Sequence, residues 1–277
     1  MKNDIENPQL AFENIEFMNS EAARTIRLQA EYLHPNEVMK ENHINHTVVV
    51  FGSARTKPPE EAEKLFKLAE KALMEKPDNK ELKRDFHLAN CALKQSKYYK
   101  MAHDFSKIVS EAVNRGETNT YIVTGGGPGI MQAGNQGAHD AGCPSVALNI
   151  HLPFEQQPNP YVTEKLCFNF RYFSIRKMHF LTRARALCAF PGGFGTIDEL
   201  FEALTLIQTE KIPRMPVVIF GKEFWEGLIN WEKFVDAGLI CEEDLELFHY
   251  SDDPEEAWKF IQDFWANNGI NPELKFI

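Results

Sequence analysis

The sequence has no surplus of basic residues, no long apolar run and no closely spaced cysteines, and each shortage removes a class of function. Its 277 residues carry 30 Lys and Arg against 40 Asp and Glu, a formal net charge of −10. That balance disfavours a nucleic-acid backbone or an anionic membrane as the main partner. No uninterrupted apolar stretch approaches the ~18 residues of a membrane span. The opening MKNDIENPQLAFENIEF scatters acids where a secretory leader has a basic end and an apolar middle. Cys91, Cys143, Cys167, Cys188 and Cys241 are odd in number and form no CxxC pair, which fits reduced thiols in a cytoplasmic protein better than a disulfide framework or a zinc site. Only His43 and His46 lie close together among nine histidines, in polar sequence with no cysteine nearby. No metal site is expected.

What the chain does contain is alternation. Thr47–Phe51, Tyr121–Thr124, Ser145–Ile150, Ala186–Phe190 and Met215–Phe220 are short runs rich in apolar and β-branched residues. They read as strands buried on both faces of a parallel sheet. Helical periodicity separates them, and a last helix begins at Asp253 and Pro254 and buries Trp258, Ile261, Phe264 and Trp265. The fold expected is α/β, a Rossmann-like doubly wound parallel sheet with ligand loops at the carboxyl ends of its strands. Residues 1–46 read as an N-terminal helical extension. Ser20 caps a helix through Leu33, Pro35 follows its end, and Ala22, Ala23, Ile26, Ala30 and Leu33 form one apolar stripe that must dock on the main domain or on a partner chain. Residues 47–277 read as one Rossmann-like domain. The helical pattern after its first strand exceeds what a crossover needs, so a helical insertion is placed at about residues 57–96.

The chemistry concentrates at Pro191–Glu199, PGGFGTIDE, where an apolar run gives way to glycines and then to helix periodicity. Glycines admit close approach of backbone N–H groups to an anion, and the following helix adds a positive dipole end. A second reading needs no ligand: Thr196 and Glu199, three apart, also match a capping box. Another glycine-rich stretch, Gly125–Gly142, follows the second strand. It fits the dinucleotide fingerprint poorly, because Ile130 stands where the third small residue belongs and Asn149, Ile150 and His151 end the next strand where an acid would hold a ribose. No GK[ST] closes it as a Walker loop. It reads as a phosphate- or ribose-facing loop. From Lys165 to Ile197 there is no Asp or Glu, while Lys165, Arg171, Arg176, Lys177, Arg183 and Arg185 are present. Such a stretch is either a local anion basin or a solvated basic helix face.

GGGPGIM at Gly125–Met131, FSIRK at Phe173–Lys177 and PGGFGTIDE at Pro191–Glu199 resemble the GGGxxGLM, xRK and PGGxGTxxE signatures of the LOG ("lonely guy") family. These proteins, often mislabelled lysine decarboxylases, include cytokinin riboside 5′-monophosphate phosphoribohydrolases. The resemblance covers roughly residues 47–221 and implies a catalytic pair, Arg176 and Glu199. It implies a substrate-binding set of Gly52, Ser53, Gly125, Gly126, Gly127, Gly129, Met131, Lys177, Gly192, Gly193, Gly195 and Thr196, with Glu155 of LPFEQ as a looser match. The implied activity is hydrolysis of the N-glycosidic bond of a nucleoside 5′-monophosphate, AMP or an N6-modified AMP, to free base and ribose 5-phosphate. No cofactor and no metal are implied, and a homodimer or higher homo-oligomer is. The first 46 residues and the insertion depart from the short members of the family. Two other readings stand beside this one: a nucleotide-binding or carrier module without turnover, and a decarboxylase with Lys177 as a Schiff-base lysine.

Overall fold

A computed structural model describes residues 9–153 and 157–270. Two helices, α1 (Ile15–Asn19) and α2 (Arg24–Glu41), lead into β1 (His46–Phe51); α3 (Pro59–Glu75) and α4 (Lys80–Asn114) follow. Then come β2 (Thr120–Thr124), α5 (Ile130–Asp140), β3 (Val146–Ile150), β4 (Cys167–Phe170), α6 (Phe173–Thr182), β5 (Ala184–Ala189) and α7 (Phe194–Gln208). The remainder is β6 (Val217–Ile219), α8 (Lys222–Leu228), α9 (Trp231–Asp236), β7 (His249–Tyr250) and α10 (Pro254–Asn267). The strands form one sheet in the order β4-β3-β2-β1-β5-β6-β7, with every pairing parallel. The expected doubly wound α/β sheet is present, with seven strands where five were read.

The two-residue repeat of a strand sends alternate side chains of β1 into two different cores. Val49 and Phe51 join Phe180, Leu187, Leu200 and Trp225 on one face. Val48 and Val50 join Phe105, Phe220, Trp258 and Trp265 on the other. Each such side chain contributes about 1.5–3 kcal/mol when fully buried, so β1 is fixed in register from both sides. The aromatic face of α10 packs on the sheet as its spacing predicts.

After β1 the helical pattern is as expected, while before it one helix outruns its expected end. The helical pattern after β1 resolves into α3 and a single 35-residue α4. Its partner α5 approaches closely because a Cβ at Gly137 would lie 2.2 Å from the His103 carbonyl oxygen. Further upstream, α2 does not stop before Pro35 but runs through it to Glu41. Proline lacks the N–H that would bond the carbonyl four residues earlier, and that carbonyl, on Glu31, instead accepts from His179 Nε2 at 2.9 Å on α6. The Glu31 carboxylate accepts from the backbone N–H groups of Arg171 (2.8 Å) and Tyr172 (3.2 Å), just before α6 begins. Asn36 Oδ1 accepts from Arg183 at 2.6 Å. The N-terminal helix is therefore fastened to the body along α6, the helix that carries Arg176.

Candidate active site

The chain proceeds from β1 outward to β2, β3 and β4 on one side and to β5, β6 and β7 on the other, so the crevice beside β1 is the switch point of the sheet. Three loops meet at that crevice. The Ser53 N–H donates to the Pro191 carbonyl at 3.1 Å, and the Ile130 N–H donates to the Ser53 carbonyl at 3.0 Å. The segment after β1 thereby ties the glycine loop after β2 to the one after β5. This contact admits no side chain: a Cβ at Gly129, where φ is +70°, would lie 2.2 Å from the Ser53 carbonyl oxygen, and one at Gly52 would lie 2.6 Å from Ile130.

Arg176 projects from α6 and Glu199 from α7, and the guanidinium Nη1 stands 4.0 Å from Glu199 Oε1. Their side chains are only 13% and 9% exposed, so each charge has few waters to stabilise it. The Arg176 Nε donates to the Leu148 carbonyl at 2.8 Å, and its guanidinium carbon lies 5.0 Å from the centre of the Phe180 ring. These contacts leave the Nη groups facing Glu199 and Gly125; a Cβ at Gly125 would be 2.7 Å from Nη2 and 2.7 Å from the half-buried Met131 sulfur. Burial pushes the Glu199 carboxyl up to about 7, against the pull of Arg176 and Lys177 and with a smaller push from Glu202 and Asp198. Arg176 is moved down by burial and back up by Glu199. The pair thus holds a carboxyl that exchanges its proton near neutrality beside a fixed guanidinium.

The loop Pro191–Gly193 turns directly into α7, which begins at Phe194 with Gly193 at its cap and no side chain capping it. The capping box read from Thr196 and Glu199 does not form, because both already lie inside the helix; the N–H groups of Thr196 and Ile197 donate to the Gly193 carbonyl at 3.0 and 3.1 Å. Gly192 is sterically required, since a Cβ there would lie 2.1 Å from Thr196 Oγ1. Around Gly193 and Gly195 a Cβ would meet nothing within 4 Å, so no packing demand of the fold explains those two glycines. Phe194 between them is 93% exposed.

Not all of the basic stretch serves this crevice. Lys177 meets α7 on the flank beside Glu199, where its ammonium lies 2.7 Å from Asp198 and 2.8 Å from Glu202. Burial would lower its pKa, but the hydrogen bonds it donates to those acids hold it above the ordinary value. A Schiff-base lysine needs the opposite shift, so the decarboxylase reading built on Lys177 lacks support in the geometry. Arg183 is bonded to Asn36 and to the Ile44 carbonyl, and Arg171 is exposed. The expected anion basin is therefore dispersed, and Arg176 is the member of it that meets Glu199. Glu155 lies outside the described residues.

Sequence reasoning missed one group here. Asn159, in the Pro-rich segment after β3, is 5% exposed and its side-chain amide donates to the carbonyls of Gly126 and Gly127, both at 3.1 Å. It also reaches Asn135 Oδ1 at 2.9 Å, which accepts from Thr124 Oγ1 at 2.7 Å. The Asn135 amide in turn donates to Ser145 Oγ at 2.9 Å, and the Gly126 N–H donates to Thr124 Oγ1 at 2.9 Å. The residues in this chain are far apart in sequence and show no periodicity; a buried asparagine in a loop gives no pattern to read.

The sheet, its switch point and the carboxyl–guanidinium pair define an α/β protein of Rossmann-like type with a chemically poised crevice. A family model described as "Possible lysine decarboxylase" matches residues 131–261, a stretch that includes Arg176 and the Pro191–Glu199 loop. The cytokinin riboside 5′-monophosphate phosphoribohydrolase LOG2 of Arabidopsis thaliana is 30% identical over 129 residues, 45% of this chain and 59% of its own length. LOG3 of the same plant is 27% identical over 176 residues, 62% of this chain and 77% of its own length. The match to LOG2 thus spans less than two thirds of that relative. Among solved structures, a molybdenum cofactor binding protein from the phototrophic bacterium Rippkaea orientalis is similar with a TM-score of 0.44 and 19% identity, over 61% of this chain and 88% of that one. A likeness of that size adds nothing to the sheet described above. The LOG-family resemblance carried by the three motifs is borne out by the family match and by the two plant relatives.

Proposed function

We propose that this chain is a nucleoside 5′-monophosphate phosphoribohydrolase. The observation that carries the reading is the buried Arg176–Glu199 pair, 4.0 Å apart, at a switch point walled by two glycine loops. Breaking a ribose C1′–N bond develops positive charge on the sugar while the base departs with the bonding electron pair. An ionised Glu199 beside C1′ stabilises that sugar cation and takes a proton from the attacking water, whose oxygen becomes the C1′ hydroxyl of ribose 5-phosphate. Arg176 offsets the negative charge on the leaving base or on the phosphate; the proton that completes the free base is the one Glu199 takes from the water, not one from the guanidinium. Gly192, Gly193, Gly195 and Thr196 at the start of α7, with Gly125–Gly129 opposite, hold the 5′-phosphate.

AMP and N6-modified AMP are the substrates proposed, the latter giving a cytokinin base as in the names of the plant relatives. A homodimer and a cytoplasmic location are proposed with it. The test is incubation with a panel of purine and pyrimidine nucleoside monophosphates, scoring free base and ribose 5-phosphate by chromatography. Release of base from AMP that Glu199→Gln abolishes is the expected result. Binding of AMP without release of base from any nucleotide would make the protein a nucleotide carrier.

A further inference from the structure

We infer that Asn159 is a positioning residue that sets the orientation of the glycine loop facing Arg176, so that the loop presents the Gly127 N–H to the bound nucleotide. The inference rests on the nucleotide-binding part of the reading above.

In a trans peptide unit the carbonyl and the following N–H point in opposite directions; the described chain has no cis bond. Asn159 fixes two successive units of the loop by their carbonyls. Its backbone N–H donates to the Gly126 carbonyl at 2.8 Å, and its side-chain amide donates to the Gly126 and Gly127 carbonyls. With the Gly126 carbonyl turned toward Asn159, the Gly127 N–H is turned away from it. The unit after Gly127 has no N–H, because residue 128 is proline. The neighbouring Gly126 N–H is already bonded to Thr124 Oγ1. Of the three peptide units around Gly126 and Gly127, the one with an N–H left to turn toward a ligand is the Gly126–Gly127 unit that Asn159 holds from behind.

The backbone at Gly126, with φ at +71°, is a conformation that glycine adopts and leaves freely, so the groups that bond the loop set its orientation. A Cβ there would also lie 2.8 Å from the Ala147 side chain, so the loop is pressed against β3 and has little room to re-form elsewhere. Asn159 is itself fixed: its amide bonds Asn135, its Oδ1 accepts from the Tyr161 N–H at 3.2 Å, and it is almost fully buried. Gly125 at the near end of the loop leaves room for Arg176 where a Cβ would lie 2.7 Å from Nη2. A change in the loop therefore alters the ligand's grip next to the guanidinium, without either charged residue being touched.

Asn159→Asp keeps the shape of the side chain, removes its two donors and sets a carboxylate against two carbonyl oxygens. In the full-length protein, AMP affinity by calorimetry and KM for AMP are expected to weaken at least tenfold, with kcat changed by less than threefold and a cooperative melt retained. A purely structural role gives the opposite pattern: a lowered melting temperature with wild-type KM and AMP affinity in the protein that remains folded. That pattern overturns the inference while leaving the hydrolase reading intact. Conversely, a wild-type protein that binds AMP without hydrolysing it, and loses that binding in Asn159→Asp, sinks the hydrolase and keeps Asn159. Absence of AMP and ribose 5-phosphate binding in the wild type ends both. Should Asn159→Asp fail to fold, backbone amide spectra of the wild type decide: AMP should shift the Gly127 N–H strongly and leave Gly126 nearly unmoved. Equal shifts, or none at Gly127, refute the assignment.

Discussion

Replacing Glu199 by glutamine should make the protein more stable in mild alkali while destroying its turnover, because the same burial that tunes the carboxyl also strains the fold. An acid carried from its ordinary 4.5 to about 7 is harder to ionise in the folded chain than in the unfolded one, by about 3 kcal/mol at about 1.4 kcal/mol per tenfold. The sign follows from proton counting. Below the unfolded pKa both states are protonated and nothing is lost; between the ordinary value and about 7 the folded state binds more protons, so stability falls as pH rises. Above the folded pKa the whole penalty is present. Glutamine resembles the protonated acid and cannot ionise, so the variant lacks this pH dependence. Urea melts of both proteins at about pH 5 and about pH 8 should therefore show the variant gaining about 2.5 kcal/mol on the wild type between the two conditions. Any fixed cost of the amide cancels in that difference. In the wild type, kcat/KM for AMP should fall as pH is lowered through about 7, because the ionised carboxylate is the working form. A stability difference independent of pH, or a rate that rises on acidification through that range, would refute the account of Glu199.

Other substitutions separate the site from its frame. Arg176→Lys keeps the charge but cannot reach the Leu148 carbonyl and Glu199 together, so AMP turnover should drop at least a hundredfold, about 3 kcal/mol of transition-state stabilisation; steady-state kinetics check it, and undiminished turnover removes Arg176 from the mechanism. Gly125→Ala sets a methyl 2.7 Å from the guanidinium and from the Met131 sulfur, both at the ends of flexible side chains, so it should cost activity far more than melting temperature. Gly137→Ala meets the unyielding His103 carbonyl at 2.2 Å and should destabilise by about 1–3 kcal/mol, read by denaturant melt, with KM for AMP unchanged in the folded protein.

The two glycine substitutions also separate what the sequence carries from what only the fold brings together. The stretch Gly125–Gly142 looks uniform in sequence, yet its glycines do different work: Gly125, Gly126 and Gly129 shape the loop at the crevice, whereas Gly134 lets α5 lie against β2 and Gly137 lets it lie against α4. Only distances to other segments separate them. The strands β1, β2, β3, β5 and β6 were legible because a strand buried on both faces is continuously apolar. Edge strands carry a weaker signal: β4 alternates buried and less buried residues in CFNF and lies inside the basic stretch, and β7 is two residues long. Pro35 misled for a local reason with a distant remedy, since the carbonyl it leaves without a helical partner is met by His179, 148 residues further on.

The charge pattern was legible in outline and not in its targets. An acid-free run with six bases suggests one basin, but a side chain on a helix serves whichever neighbour its face meets. Adjacent residues on α6 diverge by about 100°, so Arg176 turns to Glu199 and the crevice while Lys177 turns to Asp198 and Glu202. The second contact braces the first. Lys177 joins α6 to α7 through two carboxylates, and it both pulls the Glu199 carboxyl down and partly neutralises two acids that push it up.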